Sequence, residues 1–465
     1  MSQPVTFVDR AGRLLGTPEA AAVDRATRHM TAARDAAIEE LSWSGDLRDR
    51  VRRIRLHSLA NLDRLIARFA DRLEEAGGSV HFAADAAEAN EIVAGILDRA
   101  GARRVVKGKS MLSEEIGLNE HLEAAGLEVT ETDLGEYIAQ LAGDTPSHII
   151  APVLHMTRQD VGRVFAERLG VPYTDEPAEL NAIARAALRD VFLDADAGIT
   201  GVNFAVADSG SVVVVTNEGN GRFSSTAPRV HIALMGLERI VPDWPSASLV
   251  LESLARSATG QRLSVYTNVI TGPRRADDPD GPEEVHVVIV DNGRTAVLSG
   301  DTAEILACIR CGACLNVCPV FRTVGGHGYG SVYSGPVGAV LTPSLEGLGP
   351  WSDLPYASTL CGACEEVCPV GIRIPSMLLE LRRMAAEQGH LPEWIEGGVR
   401  TYARAASSPG RFRRARRLAR LVSGPFSKDG WIRRLPGRGS GWTRHRDLRR
   451  PSRVSFAEWW RSRGA

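Results

Sequence analysis

The stretch GITGVNFAVADSGSVVVVTNEGNGRFSSTAPRVHIALMGLERIV, residues Gly198–Val241, holds four β-rich runs in close succession: Val202–Ala207, Ser211–Thr216, Val230–Met235 and Arg239–Val241. The first two meet at Asp208-Ser209-Gly210, residue types that favour a tight hairpin turn. The second ends in Asn217-Glu218-Gly219-Asn220-Gly221-Arg222. A Gly/Asn loop with an acid and an arginine at the carboxyl end of a strand suits ligand binding in an open α/β sheet. It also suits a plain turn that needs residues with positive φ, and the loop alone leaves both readings open. His231, inside an apolar run, reads as a satisfied core histidine.

Working outward, the segment 80–301 alternates short strands with helices. Val80–Phe82, Val105-Val106, Leu127–Thr130 and His148–Ala151 read as strands; Asp85–Ala100, Ser113–Ala125, Arg158–Leu169 and Ala178–Asp194 read as helices. Alternation followed by consecutive strands indicates an α/β domain with a mixed sheet. Residues 1–79 are helical in pattern, with Thr17–Leu41 and Leu47–Ala76 rich in Ala, Arg, Glu and Leu and a stop at Gly77-Gly78. They form a packing or docking appendage. The run Val105-Val106-Lys107-Gly108-Lys109-Ser110 is close to a phosphate loop, but that pattern needs glycine where Arg103 stands, which excludes nucleotide hydrolysis. Lys107 and Lys109 read as a solvated face able to attract a carboxylate. No G-x-G-x-x-G follows a strand, so a dinucleotide or flavin site is not supported.

Beyond the α/β segment, all seven cysteines fall between Cys308 and Cys368. The first motif, Cys308-x-x-Cys311-x-x-Cys314-x-x-x-Cys318-Pro319, is the bacterial ferredoxin run, in which three thiolates hold one cubane and the fourth holds the other cluster. The second, Cys361-x-x-Cys364-x-x-x-Cys368-Pro369, lacks the leading cysteine, whose place is taken by Ser358. Zinc would use four ligands and leave three cysteines without a role. Crossed ligation gives cluster one Cys308, Cys311, Cys314 and Cys368, a full set for 4Fe–4S. Cluster two takes Cys318, Cys361 and Cys364. It is then 4Fe–4S with a non-cysteine fourth ligand, or 3Fe–4S, or it uses a ligand elsewhere in the chain. Ser358 binds weakly unless it loses its proton and reads first as a solvated serine at a helix start. The Cys318–Cys361 separation exceeds that of a minimal ferredoxin and suits an α-helical ferredoxin-like module over 302–384, whose work is one-electron transfer.

The chain has 465 residues, 44% hydrophobic and 24% charged, which fits several globular cores and excludes a disordered, collagenous or membrane-embedded whole. No apolar run approaches the ~18 residues of a spanning helix. The first residues lack a signal-peptide pattern, and a cytoplasmic location is expected. Charge is uneven: residues 400–465 carry 19 Lys+Arg against 3 Asp+Glu, while 1–399 carry 36 against 54. The basic, tryptophan-containing region 385–465 suits docking onto an acidic protein surface, either within the chain or on another subunit. Nucleic acid is not expected as its partner.

The combination of SGSVVVVTNEGNGR, CIRCGACLNVCPV and LCGACEEVCPV, with ANLDRLIARF near residues 60–69, VVKGKSMLSEEI at 105–116 and SFAEWW at 455–460, closely resembles the lactate utilisation protein B family along essentially the whole chain. The resemblance implies that the α/β part is a LUD domain, similar to the ribose-phosphate isomerase and CoA-transferase superfamily. It implies the iron–sulfur subunit of a three-protein system oxidising L-lactate to pyruvate without NAD, with a cysteine-rich protein and a second LUD-domain protein as partners. The family's ligands fall on Cys308, Cys311, Cys314 and Cys368, and on Cys318, Cys361 and Cys364. It implies no catalytic residues. A carboxylate pocket is expected near Lys107, Glu218 and Arg222. Two rival functions remain: a self-sufficient oxidoreductase for another small hydroxy or keto acid, disfavoured by the missing dinucleotide fingerprint, and a LUD-type binding module with sensory clusters, disfavoured by the near-complete double motif.

Overall fold

In a computed structural model describing residues 5–391, 393–443 and 446–464, the apolar runs of the α/β segment form two sheets. The strands are β1 (Ser79–Ala83), β2 (Arg104–Lys107), β3 (Glu128–Glu131), β4 (Ala197–Gly201), β5 (Phe204–Val206), β6 (Ser211–Thr216), β7 (Val230–Gly236), β8 (Ile240–Val241), β9 (Tyr266–Ile270) and β10 (Glu284–Val290). The larger sheet is all parallel, in the order β1-β10-β7-β4-β2-β3. Its central strands are apolar on both faces, as a covered parallel sheet requires. Ala233, Met235, Val287 and Ile289 join one core; Ile232, Leu234, Val288 and Val290 join the other. The chain runs outward from β2 to β3 and then returns to β4 on the opposite side of β2. That reversal leaves a crevice at the carboxyl ends of β2 and β4, the usual ligand position in such sheets.

The smaller sheet has the order β8-β5-β6-β9. Its β5–β6 hairpin turns through the Asp208-Ser209-Gly210 corner, with Gly210 at φ +64. This smaller sheet is mixed: β5 pairs antiparallel with β6 and parallel with β8.

Two segments differ from their sequence reading for identifiable reasons. His148–Ala151 is a tight loop, not a strand. His148 Nδ1 accepts the N–H groups of Ile150 and Ala151, and Ser147 N donates to Pro152 O at 2.7 Å, so a side chain takes the backbone bonds a ladder would use. The helix read over Ser113–Ala125 is two, Met111–Glu115 and Leu118–Ala124, broken by left-handed Gly117. β4 escapes strand propensity because it contains Gly198 and Gly201. At Gly198 a Cβ would lie 1.8 Å from Ser224 O, so only glycine lets the helix Asn220–Thr226 pack on the strand.

The N-terminal helices Pro18–Glu39, Ser44–Ala60 and Leu62–Glu75 bury Val23, Leu47, Val51, Leu65, Phe69 and Leu73 in the core that also holds β5, β6 and the cysteine-rich segment. Arg55 fixes this junction. Its buried guanidinium donates to Ile240 O at 2.7 Å and to Leu306 O and Ala307 O at 3.3 Å. Met1–Gln388 form one compact unit and Gly389–Ala465 a second. Within the second, helices Glu393–Ala406 and Pro409–Ser423 precede a three-stranded sheet of two-residue strands, and Phe456–Ser462 closes it. No residue of Pro409–Ser423 is buried. Among the described residues no helix is long and apolar enough to cross a membrane.

Candidate iron–sulfur centre and the adjoining cavity

The two cysteine motifs repeat one backbone turn fifty residues apart. Arg310 and Leu360 lie at φ 56 and 55, followed by Gly312 at φ 74 and Gly362 at φ 86. Left-handed residues on either side of Cys311 and Cys361 curl the chain so that N–H groups converge on the sulfurs, a nest for anionic atoms. Arg310 N donates to Cys308 Sγ at 3.3 Å, and Leu360 N donates to Ser358 Oγ at 3.1 Å. Ser358 therefore performs the turn-forming job of Cys308 through its hydroxyl. After the last cysteine of each motif, proline starts the next segment: Pro319 opens the helix Pro319–Val324, and beyond Pro369 the N–H groups of Val370, Gly371 and Ile372 face Cys368.

All seven thiols are free; Cys311, Cys318, Cys364 and Cys368 are buried, Cys308 and Cys314 half-buried, and Cys361 exposed. Cys308, Cys311, Cys314 and Cys368 line one small cavity, and Cys318, Cys361 and Cys364 act on one another. Burial, then the Cys308 and Cys368 thiolates, push the Cys311 thiol up. Burial, then Cys308, Cys311, Cys368 and Cys364, push up Cys314. Burial with Cys318 and Cys361 raises Cys364 to about 12. Cys361 is instead lowered, by the Ala363 N–H and the Thr359 side chain. The buried Tyr329 ring lies beside Cys318 and feels Cys314 and Cys364. Thiolates crowded together are unfavourable until a cationic centre binds them, and seven sulfurs brought together in ferredoxin spacing are a donor set that fits iron–sulfur clusters.

A cavity of about 240 Å³ opens at the carboxyl ends of three parallel strands. Gly108, Lys109 and Ser110 follow β2, Val202 and Asn203 follow β4, and Glu238 and Arg239 follow β7; Arg310 and Tyr333 close it from the cysteine-rich side. Arg310 also lines a smaller cavity bounded by Cys308, Cys311, Cys314 and Cys368. The cavity wall is charged. Arg294 donates to Glu238 at 2.9 Å and to both Glu115 oxygens at 2.8 Å, and Tyr333 Oη donates to Glu115 at 2.6 Å. Despite its burial, Glu238 is held at about 2 by Arg294, Arg239 and Arg310.

Two family descriptions match the chain: a LUD domain over residues 66–290 and a 4Fe-4S dicluster domain over 304–372. Lactate utilization protein B of Shouchella clausii is 46% identical over 443 residues, covering 95% of this chain and 93% of that protein. Its counterpart in Bacillus subtilis is 46% identical over 444 residues with the same coverage. The chain belongs to the lactate utilization protein B family. An Escherichia coli relative described as an uncharacterized electron transport protein is 44% identical over 96% of this chain and 94% of its own. A DUF162 family protein from Deinococcus radiodurans also matches, over 49% of this chain and 98% of its own, at 16% identity and a TM-score of 0.29.

In this lactate utilization protein B family member, only Glu218 of the three expected pocket residues lies on the cavity wall. Lys107 is fully buried and pairs with Glu131 at 2.8 Å and Glu114 at 3.3 Å, and Arg222 is exposed on the helix Asn220–Thr226. Lys107 is the last residue of β2, and the chain turns into the crevice only after it, which puts Lys109 on the wall. Neither lysine forms a solvated face: the Lys109 ammonium is buried too. His231 is buried, pairs with Thr200 at 2.9 Å and is lowered to about 4 by burial. The sequence reading singled out the Gly/Asn loop to which Asn220 belongs but passed over Arg310 and Glu238 as wall residues. Their one sequence signal is Arg310 itself, a charge where the second motif carries Leu360.

Proposed function

We propose that this chain is the iron–sulfur electron-transfer subunit of a multi-protein, NAD-independent system that oxidises L-lactate to pyruvate. The observation that carries the reading is the meeting of the two cysteine motifs: Cys308, Cys311, Cys314 and Cys368 line one small cavity, which supports a first ligand set of those four and a second of Cys318, Cys361 and Cys364. The first set would hold a 4Fe–4S cluster. The second would hold 4Fe–4S with a non-cysteine fourth ligand, or 3Fe–4S. When bound, these clusters supply one-electron transfer at potentials set by burial and by N–H groups facing sulfur. The chain's own part is to position and insulate. The nest N–H groups fix the sulfurs, Tyr329 shields Cys318, and the shared apolar core keeps water from the first group.

The curated relatives named for lactate utilization support lactate as the reductant, and a cysteine-rich protein and a second LUD-domain protein are its proposed partners in the cytoplasm. Exposed Trp442, Trp459 and Trp460 in the basic second unit suit docking onto an acidic partner. The test is electron paramagnetic resonance of the anaerobically purified chain, alone and with both partners, after L-lactate is added. Cluster reduction only in the three-component mixture is expected. Reduction by the chain alone would make it a self-sufficient oxidoreductase, and no reduction in the mixture would overturn the lactate reading.

A further inference from the structure

We propose that the cavity at the carboxyl ends of β2, β4 and β7 is a binding site for a small carboxylic acid anion, with Arg310 as the residue that takes the carboxylate. Arg310 is 8% exposed, and none of its three guanidinium nitrogens has a hydrogen-bond partner. A buried cation without hydrogen bonds is costly. Its head group is on the cavity side: it stacks over the Tyr333 ring at 4.9 Å and lies 3.6 Å from Glu238 Oε1, and both residues line the cavity. Glu238 cannot satisfy it, because its other oxygen already accepts from Arg294 at 2.9 Å and Arg239 competes for Oε1 at 3.6 Å. Arg239, Arg294 and Arg310 all converge on Glu238, while Lys109, Asp133 and Glu218 line the rest of the cavity. A planar guanidinium with free donors is the natural partner of a carboxylate.

A second observation comes from another lining residue. Asn220 is 5% exposed, lines the cavity, and has neither its amide nitrogen nor its amide oxygen paired. A donor and an acceptor held together suit the hydroxyl or carbonyl next to a carboxylate. The volume, about 240 Å³, is below the ~300–1,000 Å³ of pockets for larger ligands and suits a short-chain acid with water. The repeat adds a third point. Leu360 occupies the same left-handed place in the second motif, so the turn does not require arginine. Arg310 instead places the bound carboxylate beside the first cysteine group, which shares its smaller cavity. That the acid is a three-carbon hydroxy or keto acid rests on the function proposed above; the anion site does not.

The test is calorimetric titration of the anaerobic, cluster-loaded full chain with L-lactate, pyruvate, acetate and inorganic phosphate. It uses wild type, Arg310→Gln, Arg310→Lys and Asn220→Ala, with iron content measured for each. L-lactate or pyruvate should bind wild type at least tenfold more tightly than Arg310→Gln. Arg310→Lys should recover part of the affinity, and Asn220→Ala should weaken lactate more than acetate. Equal binding of acetate and lactate, both lost in Arg310→Gln, would keep the site and count against the lactate reading. No carboxylate binding, or binding indifferent to Arg310→Gln and Asn220→Ala, overturns the site. Should Arg310→Gln lose iron, Asn220→Ala with full iron decides alone: unchanged lactate affinity there overturns the site.

Discussion

The first and second cysteine motifs share a backbone turn and diverge in everything around it. Cys311 and Cys361 occupy equivalent places, yet one is buried and the other exposed. Gly312 is pressed against Ile150, where a Cβ would meet Cδ1 at 2.9 Å, while a Cβ on Gly362 would meet nothing within 4 Å. Arg310 faces a charged cavity; Leu360 has no such counterpart. Cys308 is matched by Ser358. One turn has been placed in two environments, an inner one against the α/β cavity and an outer one at the surface. In a relay the inner position suits contact with the electron source and the outer one suits delivery to a partner.

The comparison breaks most visibly at the thiols. Cys368→Ser should remove the inner cluster, about four irons, and leave the outer one; Cys361→Ser should do the reverse. Iron analysis with electron paramagnetic resonance checks this, and loss of the same signal in both variants would contradict the crossed grouping. Ser358→Cys should sharpen it by supplying the missing thiolate. If the outer cluster is 3Fe–4S, iron should rise by about one per chain and the three-iron signal should vanish.

Acid should act on the inner side. His148 hydrogen-bonds to Asn316 at 3.1 Å and is lowered to about 3 by burial and then Lys109, and buried His231 is at about 4. Both must be neutral in the fold, whereas the unfolded chain takes up protons near pH 6.5. Their stabilisation is therefore complete above pH 6.5 and is lost as pH falls toward 4 and 3, at up to about 1.4 kcal/mol per pH unit for each. Denaturant titrations at pH 7.0 and 5.5 should show the fall, and His148→Asn should lessen the slope. A flat profile would contradict it. The smallest difference is expected between Gly312→Ala and Gly362→Ala. Each introduces a left-handed alanine at ~1–2 kcal/mol, and the first should cost about a further 1 kcal/mol for the Ile150 contact, read as a lower Tm.

What was legible in the sequence follows from how local each feature is. The cysteine turns are written in runs of about a dozen residues, and β6 and the helix Arg158–Leu169 follow their apolar patterns residue for residue. The cavity is not local: its wall joins residues after β2, β4 and β7 to Arg310 and Tyr333, and only the parallel crossovers bring them together. Lys107 misled because a strand end and the loop beyond it look alike in sequence, yet one lysine is locked between Glu114 and Glu131 while the other reaches the crevice. β4 was hidden by its glycines: Gly198 lies under a helix from more than twenty residues downstream, and Gly201 under Lys109 and Ser110.

The central claim, two unequal clusters built on one repeated turn, is tested most directly by iron quantification with electron paramagnetic resonance on the anaerobically purified, dithionite-reduced full chain. About seven or eight irons per chain and two magnetically interacting centres are expected. About four irons with a single isolated signal would contradict that claim.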